Sequence, residues 1–355
     1  MTKSMTAVIV LFSLVGEVRA ASEPDGEITI HVDQPTVALP NALYGLFYED
    51  INYSADGGLY AELVQNRSFE YFALDCREKM SDKSSLQHHP LYAWEKVERG
   101  GGSCDLKVER TVPLNRNNQN YLAVYIHQAG TGVGIRNLGY DGIRVDEGES
   151  YDVSLYAARW GGGDEPAVIA LESDDGKVYG SMTTGPLNDD WQQFQGVIKV
   201  NQSDDQARLT VTTSGRGKLY LDMVSLFPQK TFKGRKNGLR PDLVQALVDL
   251  NPKFVRFPGG CITHGCSLQN AYRWKDTVGD VAERRANWNR WGYHQTYGLG
   301  YYEYFLLCED LGAAPLPVVP VGVSCGYNKP YQAAPLDELQ EWIDDALDLV
   351  EFANG

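Results

Sequence analysis

The feature that most constrains the fold is a change of hydrophobic period partway along the chain. Between Leu86 and Phe227 the apolar residues recur in short runs: YLAVYIHQ, GIRVDEGESYDVSLYAAR, AVIALES, WQQFQGVIKV, ARLTVTTSG and KLYLDMVSLF. Gly, Asn and Asp turns separate them. YDVSLYAAR and KLYLDMVSLF alternate with period two, the spacing of a strand with one buried face. No helical period of useful length interrupts them. About eight short strands in roughly 140 residues predict a β-sandwich of the jelly-roll kind.

On either side the pattern alternates between strand and helix. Upstream, Leu43 to Phe47 reads as a buried strand ending at Glu49-Asp50, followed by GGLYAELVQNRSFEY as a loop or short helix. Downstream, PDLVQALVDL places Pro at a helix start and Leu243, Val244, Leu247 and Val248 on one face. KFVRF is a strand, LGYYEYFLLCEDLG a helix stopped by Gly312, and APLPVVPVGV a buried strand. PLDELQEWIDDALDLVEFANG is a helix with Leu339, Trp342, Ile343, Ala346 and Val350 on one side. Glu303 and Glu309 fall on the exposed side of their helix, as solvated surface. QKTFKGRKNGLR, with five basic residues, reads as a solvated linker.

Alternating β and α elements predict a parallel sheet with helices outside it. In such folds the site lies at the carboxyl ends of the strands. Arg256 stands at one such end, and Gly259-Gly260 let the backbone turn sharply beside a ligand. The spacing alone allows two roles for Arg256: fixing a polar substrate or site carboxylate, or pairing with a buried acid under a tight turn. Glu49-Asp50 at the matching strand end tips the balance toward a site. A full (β/α)8 barrel needs about 250 residues and eight strands, whereas about three are legible. The expected class is therefore α/β plus all-β: an incomplete TIM barrel with an inserted sandwich. The expected segments are a signal peptide over 1–21, the start of the barrel over 22–72, the sandwich over 86–229 and the continuing, truncated barrel over 238–355.

Composition narrows the function. At 43% hydrophobic and 22% charged the 355-residue chain is globular rather than disordered. A net charge of -15 repels nucleic acid and anionic membranes but leaves a neutral sugar unaffected. The 21 tyrosines and 7 tryptophans would stack on sugar rings, and equally would fill a core. Lys3, the apolar stretch from Ala7 to Gly16 and Val18-Arg19-Ala20 read as a cleaved export signal, which implies a secreted or periplasmic protein. Cys261, His264 and Cys266 are close enough to raise a metal site. Three groups without a partner cluster carry it weakly, and buried free thiols are the better reading. No metal and no cofactor are expected.

The blocks YGLFYEDINYSADGGLYAELVQNRSFEY, NGLRPDLVQALVDLNPKFVRFPGGC, NAYRWKDTVGD and GLGYYEYFLLCEDLGAAPLPVV, in this order, resemble glycoside hydrolase family 51, the α-L-arabinofuranosidases. The resemblance runs from about Ile28 to the C-terminus and is nearest the branch with a carbohydrate-binding-like sandwich after the first barrel strand. It implies retaining hydrolysis of terminal arabinofuranosyl residues by two glutamates, one general acid/base and one nucleophile. In relatives both lie on later barrel strands, the acid/base in an Asn-Glu pair. None is present here, so no catalytic residue is assigned and the chain alone is expected to be inactive.

What the resemblance carries over is half of a sugar pocket. Glu49 matches the glutamate that contacts furanose hydroxyls, Arg256 the arginine that orders the pocket, and Trp291 an aromatic wall. Cys261 stands where many relatives have a hydroxyl-binding Asn. WNRWGYHQTYG departs from the usual wording at Trp288 and His294. Glu49 could instead be a structural partner of Arg256, and Trp291 plain core. The implied partners are arabinose-containing plant polysaccharides or oligosaccharides, with a homo-oligomeric full-length form. Two other readings stay open: a non-catalytic carbohydrate-binding protein using Trp94, Trp160 or Trp191 of the sandwich, and a glycosidase of the same barrel type with another sugar specificity.

Overall fold

The computed structural model describes residues 28, 29, 31, 33, 40–72, 89–327 and 331–355. The expected signal peptide lies outside them. Residues 41–355 form one unit, in which a β-sandwich adjoins a small parallel sheet with helices.

The parallel sheet has three strands in the order β1 (Leu46–Phe47), β13 (Phe254–Phe257) and β16 (Ala314–Pro317). Phe47 pairs with Arg256, which pairs with Leu316, so these three share one face. On the other face Val255 and Phe257 are buried. Helices α1 (Pro241–Asp249), α2 (Cys261–His264), α3 (Tyr301–Leu311) and α4 (Gln340–Asn354) complete this part. Phe257 stacks on Tyr304 of α3 with ring centroids 4.7 Å apart. Val244 is the buried residue of α1, and Leu243, Leu247 and Val248 pack against the same core.

Two of the strands differ from expectation. Leu43 sits in a single 3-10 turn and is exposed, and β1 is only two residues long. β16 is four residues long and largely exposed rather than buried. Both lie at sheet edges, where strands are short and where prolines such as Pro315 and Pro317 cost no ladder bond. α4 is rotated from the expected face. It buries Trp342, Asp345 and Leu349 and exposes Ile343, Leu347 and Val350. Asp345 accepts a hydrogen bond from Arg273 and a contact from Lys275 at 3.1 Å, and its backbone oxygen accepts from Trp274 Nε1 at 2.7 Å. The buried face thus carries a carboxylate with cationic partners, which the apolar pattern does not anticipate.

The sandwich has eleven strands among the described residues, not eight. They are β2 (Trp94–Arg99), β3 (Ser103–Glu109), β4 (Tyr121–Gln128), β5 (Gly132–Asn137), β6 (Ile143–Val145), β7 (Ser150–Trp160), β8 (Val168–Glu172), β9 (Val178–Thr183), β10 (Gln192–Lys199), β11 (Asp204–Thr213) and β12 (Gly217–Pro228). One antiparallel sheet runs β10-β7-β12-β4-β3; the other runs β2-β5-β11-β8-β9, with β6 on β11. β2 and β3 carry too many charges for their alternation to stand out. In β7 Tyr151, Val153, Leu155 and Ala157 point into the core. In β12 the inward residues are Leu219 and Leu221, then Val224 and Leu226. A register shift between Asp222 and Ser225, with Met223 at φ 48°, moves the phase by one residue.

Residues 59–72 form an irregular segment rather than a helix. Leu59, Tyr60 and Ala61 belong to the core of the helical part, Val64 and Phe69 to that of the sandwich. Glu62 holds the seam. It accepts from Ser225 Oγ at 2.6 Å, from Leu226 N at 2.9 Å and from Val64 N at 3.0 Å, and faces the buried Arg67 at 3.5 Å. The basic linker is also fastened: Lys233 and Arg235 pair with Asp310 at 2.8 and 2.6 Å.

Candidate sugar-binding site

Glu49 and Arg256 stand at the same ends of the adjacent parallel strands β1 and β13. The backbone continues the pairing past the strands, with Tyr48 N donating to Arg256 O at 2.8 Å and Asp50 N to Pro258 O at 3.3 Å. Tyr48 and Asp50 turn inward: Tyr48 meets Tyr304 of α3 at 5.5 Å, and Asp50 is buried. Glu49, two residues beyond Phe47, is left partly exposed. Its Oε1 is nonetheless buried and makes no hydrogen bond. No ion pair within 4 Å joins Glu49 to Arg256. Arg256 lies over the Phe47 ring, 4.3 Å from its centroid.

The Pro-Gly-Gly turn after β13 is shaped by this carboxylate. Gly259 has φ 154°, and a Cβ there would lie 2.6 Å from Glu49 Cγ. Any larger residue would push Glu49 aside. Gly260 has no such demand, since a Cβ there meets nothing within 4 Å. Cys261 follows at the start of α2 and is half-buried.

Trp291 sits in the turn between β14 (Asn287–Asn289) and β15 (Tyr293–Gln295). It is 37% exposed, so it is not plain core. Its backbone N–H donates to Asn289 Oδ1 at 2.8 Å, and the Arg290 guanidinium lies 5.4 Å from its ring centroid. The hairpin is fastened to Asp50: Asn289 Nδ2 donates to Asp50 O at 2.7 Å and Tyr293 OH to Asp50 Oδ1 at 2.8 Å. Ala55 N donates to the same Oδ1 at 3.1 Å. Burial, reinforced by the nearby Asp56 carboxylate, raises Asp50 to about 7 against these hydrogen bonds. Asp56 in turn accepts from Thr296 N at 2.6 Å and Thr296 Oγ1 at 2.9 Å.

Asn289 and Arg290 escaped the sequence reading, and Asp50 entered it only as part of the Glu49-Asp50 strand end. The only available signal for Asp50 was its place beside Glu49. Trp288 and His294 are buried; His294 Nε2 accepts from Phe72 N at 2.9 Å, and its ring stacks on Tyr71 at 4.3 Å. Two expectations are corrected. Cys266 is disulfide-bonded rather than a free thiol. Glu303 is not solvated surface: it takes two 2.9 Å hydrogen bonds from the buried Arg284 and one of 2.9 Å from Gly300 N, closing the first turn of α3. His264 bonds to the Val323 carbonyl through Nδ1 at 2.9 Å.

The chain is similar to known carbohydrate-active proteins. Residues 246–355 match the family model "Alpha-L-arabinofuranosidase 1 domain", and residues 61–217 match "Carbohydrate binding domain". Over 99% of its length the chain is 41% identical to an extracellular exo-α-L-arabinofuranosidase of Streptomyces chartreusis, covering 41% of that protein. It is 33% identical to α-L-arabinofuranosidase 1 of Arabidopsis thaliana, again over 99% of the chain and 52% of the relative. A solved arabinose-bound family 51 α-L-arabinofuranosidase superposes with a TM-score of 0.78 at 31% identity, over 90% of this chain and 50% of that one. By sequence and by fold the chain is homologous to the α-L-arabinofuranosidases of glycoside hydrolase family 51. It spans about half or less of the length of these relatives.

Proposed function

We propose that this chain supplies half of the sugar pocket of a secreted, retaining α-L-arabinofuranosidase acting on arabinose side chains of plant polysaccharides. The observation that carries the reading is Glu49, whose Oε1 is buried without a hydrogen-bond partner beside the Pro-Gly-Gly turn. Leaving a buried acceptor unsatisfied costs about 1–3 kcal/mol. A furanose hydroxyl arriving there removes that cost. Cys261 lies near the carboxylate, Arg256 stands at the neighbouring strand end, and Trp291 offers an exposed ring on the hairpin tied to the next residue.

In this reading the inner face of the three-stranded sheet belongs to an incomplete barrel. Phe47 and Leu316 are 55% and 48% exposed there, which suits a face that further strands would cover. The two glutamates of the chemistry are not among the residues described, so the chain binds without turning over. Titration of the chain with an α-L-arabinofuranosyl oligosaccharide, followed by NMR, should shift signals around Glu49 and Trp291. Glu49→Gln should weaken this at least about tenfold, the scale of one charge-assisted hydrogen bond. An aryl arabinofuranoside should show no turnover. Unaltered affinity in Glu49→Gln, or clear turnover, sinks the assignment.

A second reading rests on the sandwich. Trp94 is buried core, its Nε1 donating to Asn66 O at 2.8 Å. Trp160, 43% exposed, lies roughly parallel to Tyr220 at 6.2 Å on the outer face of the five-stranded sheet. Trp191 flanks Tyr220 at 6.3 Å. Tyr220 is itself buried in a small cluster with Tyr121 and Ala158, so Trp160 is the ring exposed to a glycan. Retention of the chain on insoluble arabinan or xylan, lost in Trp160→Ala, supports this reading; retention that survives the substitution excludes this ring.

A further inference from the structure

One pair of side chains near the pocket has chemistry that sugar binding does not use. Cys261, at the first position of α2, and Cys325, in the loop after β16, are both free thiols. Each sulfur stands near enough to the other to bear on its ionisation. The backbone holds them in place: Gly265 N donates to Cys261 O at 3.1 Å, and Cys325 N donates to Gly265 O at 3.0 Å. The His264–Val323 bond fastens the same loop to the same helix. The Arg290 guanidinium is near enough to favour the thiolate of Cys325. Cys325, 5% exposed, stands in the wall of an open cavity of about 650 Å³ together with His264, Val323, Tyr327 and Tyr331.

We propose that Cys261 and Cys325 form a reactive dithiol, a modification site for low-molecular-weight disulfides, with Cys325 attacking and Cys261 resolving. The Cys325 thiolate attacks one sulfur of a disulfide RSSR in the cavity and expels RS⁻. Cys261 then gives its proton to RS⁻ and attacks Cys325 Sγ. The second RS⁻ leaves and takes up a proton from solvent. Two protein thiols and RSSR become one protein disulfide and two RSH, so the oxidant is the reagent itself.

The asymmetry between the two sulfurs sets the order. Burial alone would raise Cys325, but the Tyr327 N–H, the Cys261 S–H and Arg290 together bring it below the ordinary thiol value. Cys261 is raised, first by burial and then by its neighbour Cys325. Exchange runs through the thiolate, so Cys325 leads. The remaining free thiols are poor competitors. Burial pushes Cys104 up to about 11 and Cys308 up to about 12.

The test uses the full chain with oxidised glutathione as probe, followed by alkylation, digestion and mass spectrometry. Of the four free thiols among the described residues, Cys261 and Cys325 should disappear together as a single linked peptide. Cys104 and Cys308 should stay alkylatable after unfolding. Cys261→Ser should stop at a glutathione adduct on Cys325. Cys325→Ser should leave Cys261 unmodified at exposures that convert the native chain completely. Recovery of both thiols from the native chain, while a model peptide thiol is consumed, overturns the proposal. So does modification of Cys261 in Cys325→Ser at the native rate. The native-chain peptide map needs no variant to fold, and the chemistry stands or falls independently of sugar binding.

Discussion

The sandwich and the parallel sheet both rely on β-strands, but they settle their faces differently. In the sandwich the inner faces of two sheets close on each other around a continuous apolar cluster that includes Leu122, Ile135, Leu155, Ile169, Leu209 and Leu221. The parallel sheet covers one face with α1 and α3, while Phe47 and Leu316 on the other remain open. Its neighbourhood is held by polar ties in place of a second apolar layer: Asp50 and Asp56 to the hairpin, Arg284 to Glu303, Arg273 and Lys275 to Asp345. A closed apolar core stabilises itself. A one-sided sheet depends on buried carboxylates with named partners, and the same arrangement leaves Glu49 and Arg256 accessible at the strand ends.

Truncating a side chain on each kind of face gives the largest contrast. Leu221→Ala empties a fully buried position in the sandwich and should cost about 3–5 kcal/mol. Phe47→Ala, on the open face of β1, should cost below about 1 kcal/mol, because little apolar area leaves water there on folding. Urea midpoints of the two variants measure both. Equal losses would mean that Phe47 is covered in solution, and the contrast between the two regions would fail.

The sequence carried the coarse half of this picture. Period two in YDVSLYAAR reports the inward row of β7, because one face is apolar and the other polar. KFVRF followed by Pro-Gly-Gly placed Arg256 at a strand end, and Gly259 there has no room for a side chain. What stayed hidden was polar and distant. Asn289 and Tyr293 reach Asp50 across 239 and 243 residues, and a hydrophobic pattern has no term for such a bond. The rotation of α4 followed Asp345, a residue that any apolar count places outside. Glu303 looked solvated because its partner Arg284 lies nineteen residues upstream in an irregular segment. Cys261 and Cys325 could not be paired from spacing, since only the loop after β16 brings them together.

The polar ties of the sheet region make a pH prediction that the apolar core does not. Asp50 titrates at about 7 in the folded chain, raised first by burial and then by Asp56, against about 3.9 when unfolded. Between these values the native state keeps a proton that the unfolded state has lost. Its stabilising contribution is therefore complete below about pH 4, declines as pH rises and is gone above about pH 7. The full swing is at most about 4 kcal/mol, at 1.36 kcal/mol per pH unit. Asp50→Asn removes the titration while keeping an amide oxygen where Oδ1 accepts from Ala55 N and Tyr293 OH. Stability measured by urea unfolding from pH 4 to pH 8 should fall less steeply in the variant. Other raised carboxylates, Asp56 and Glu62 among them, keep some slope in both, so the readout is the difference between the two curves. That difference should change across the window and be flat above it. Parallel curves would mean that Asp50 is ionised throughout, and that the hairpin bearing Trp291 is anchored to a carboxylate rather than to a neutral acid.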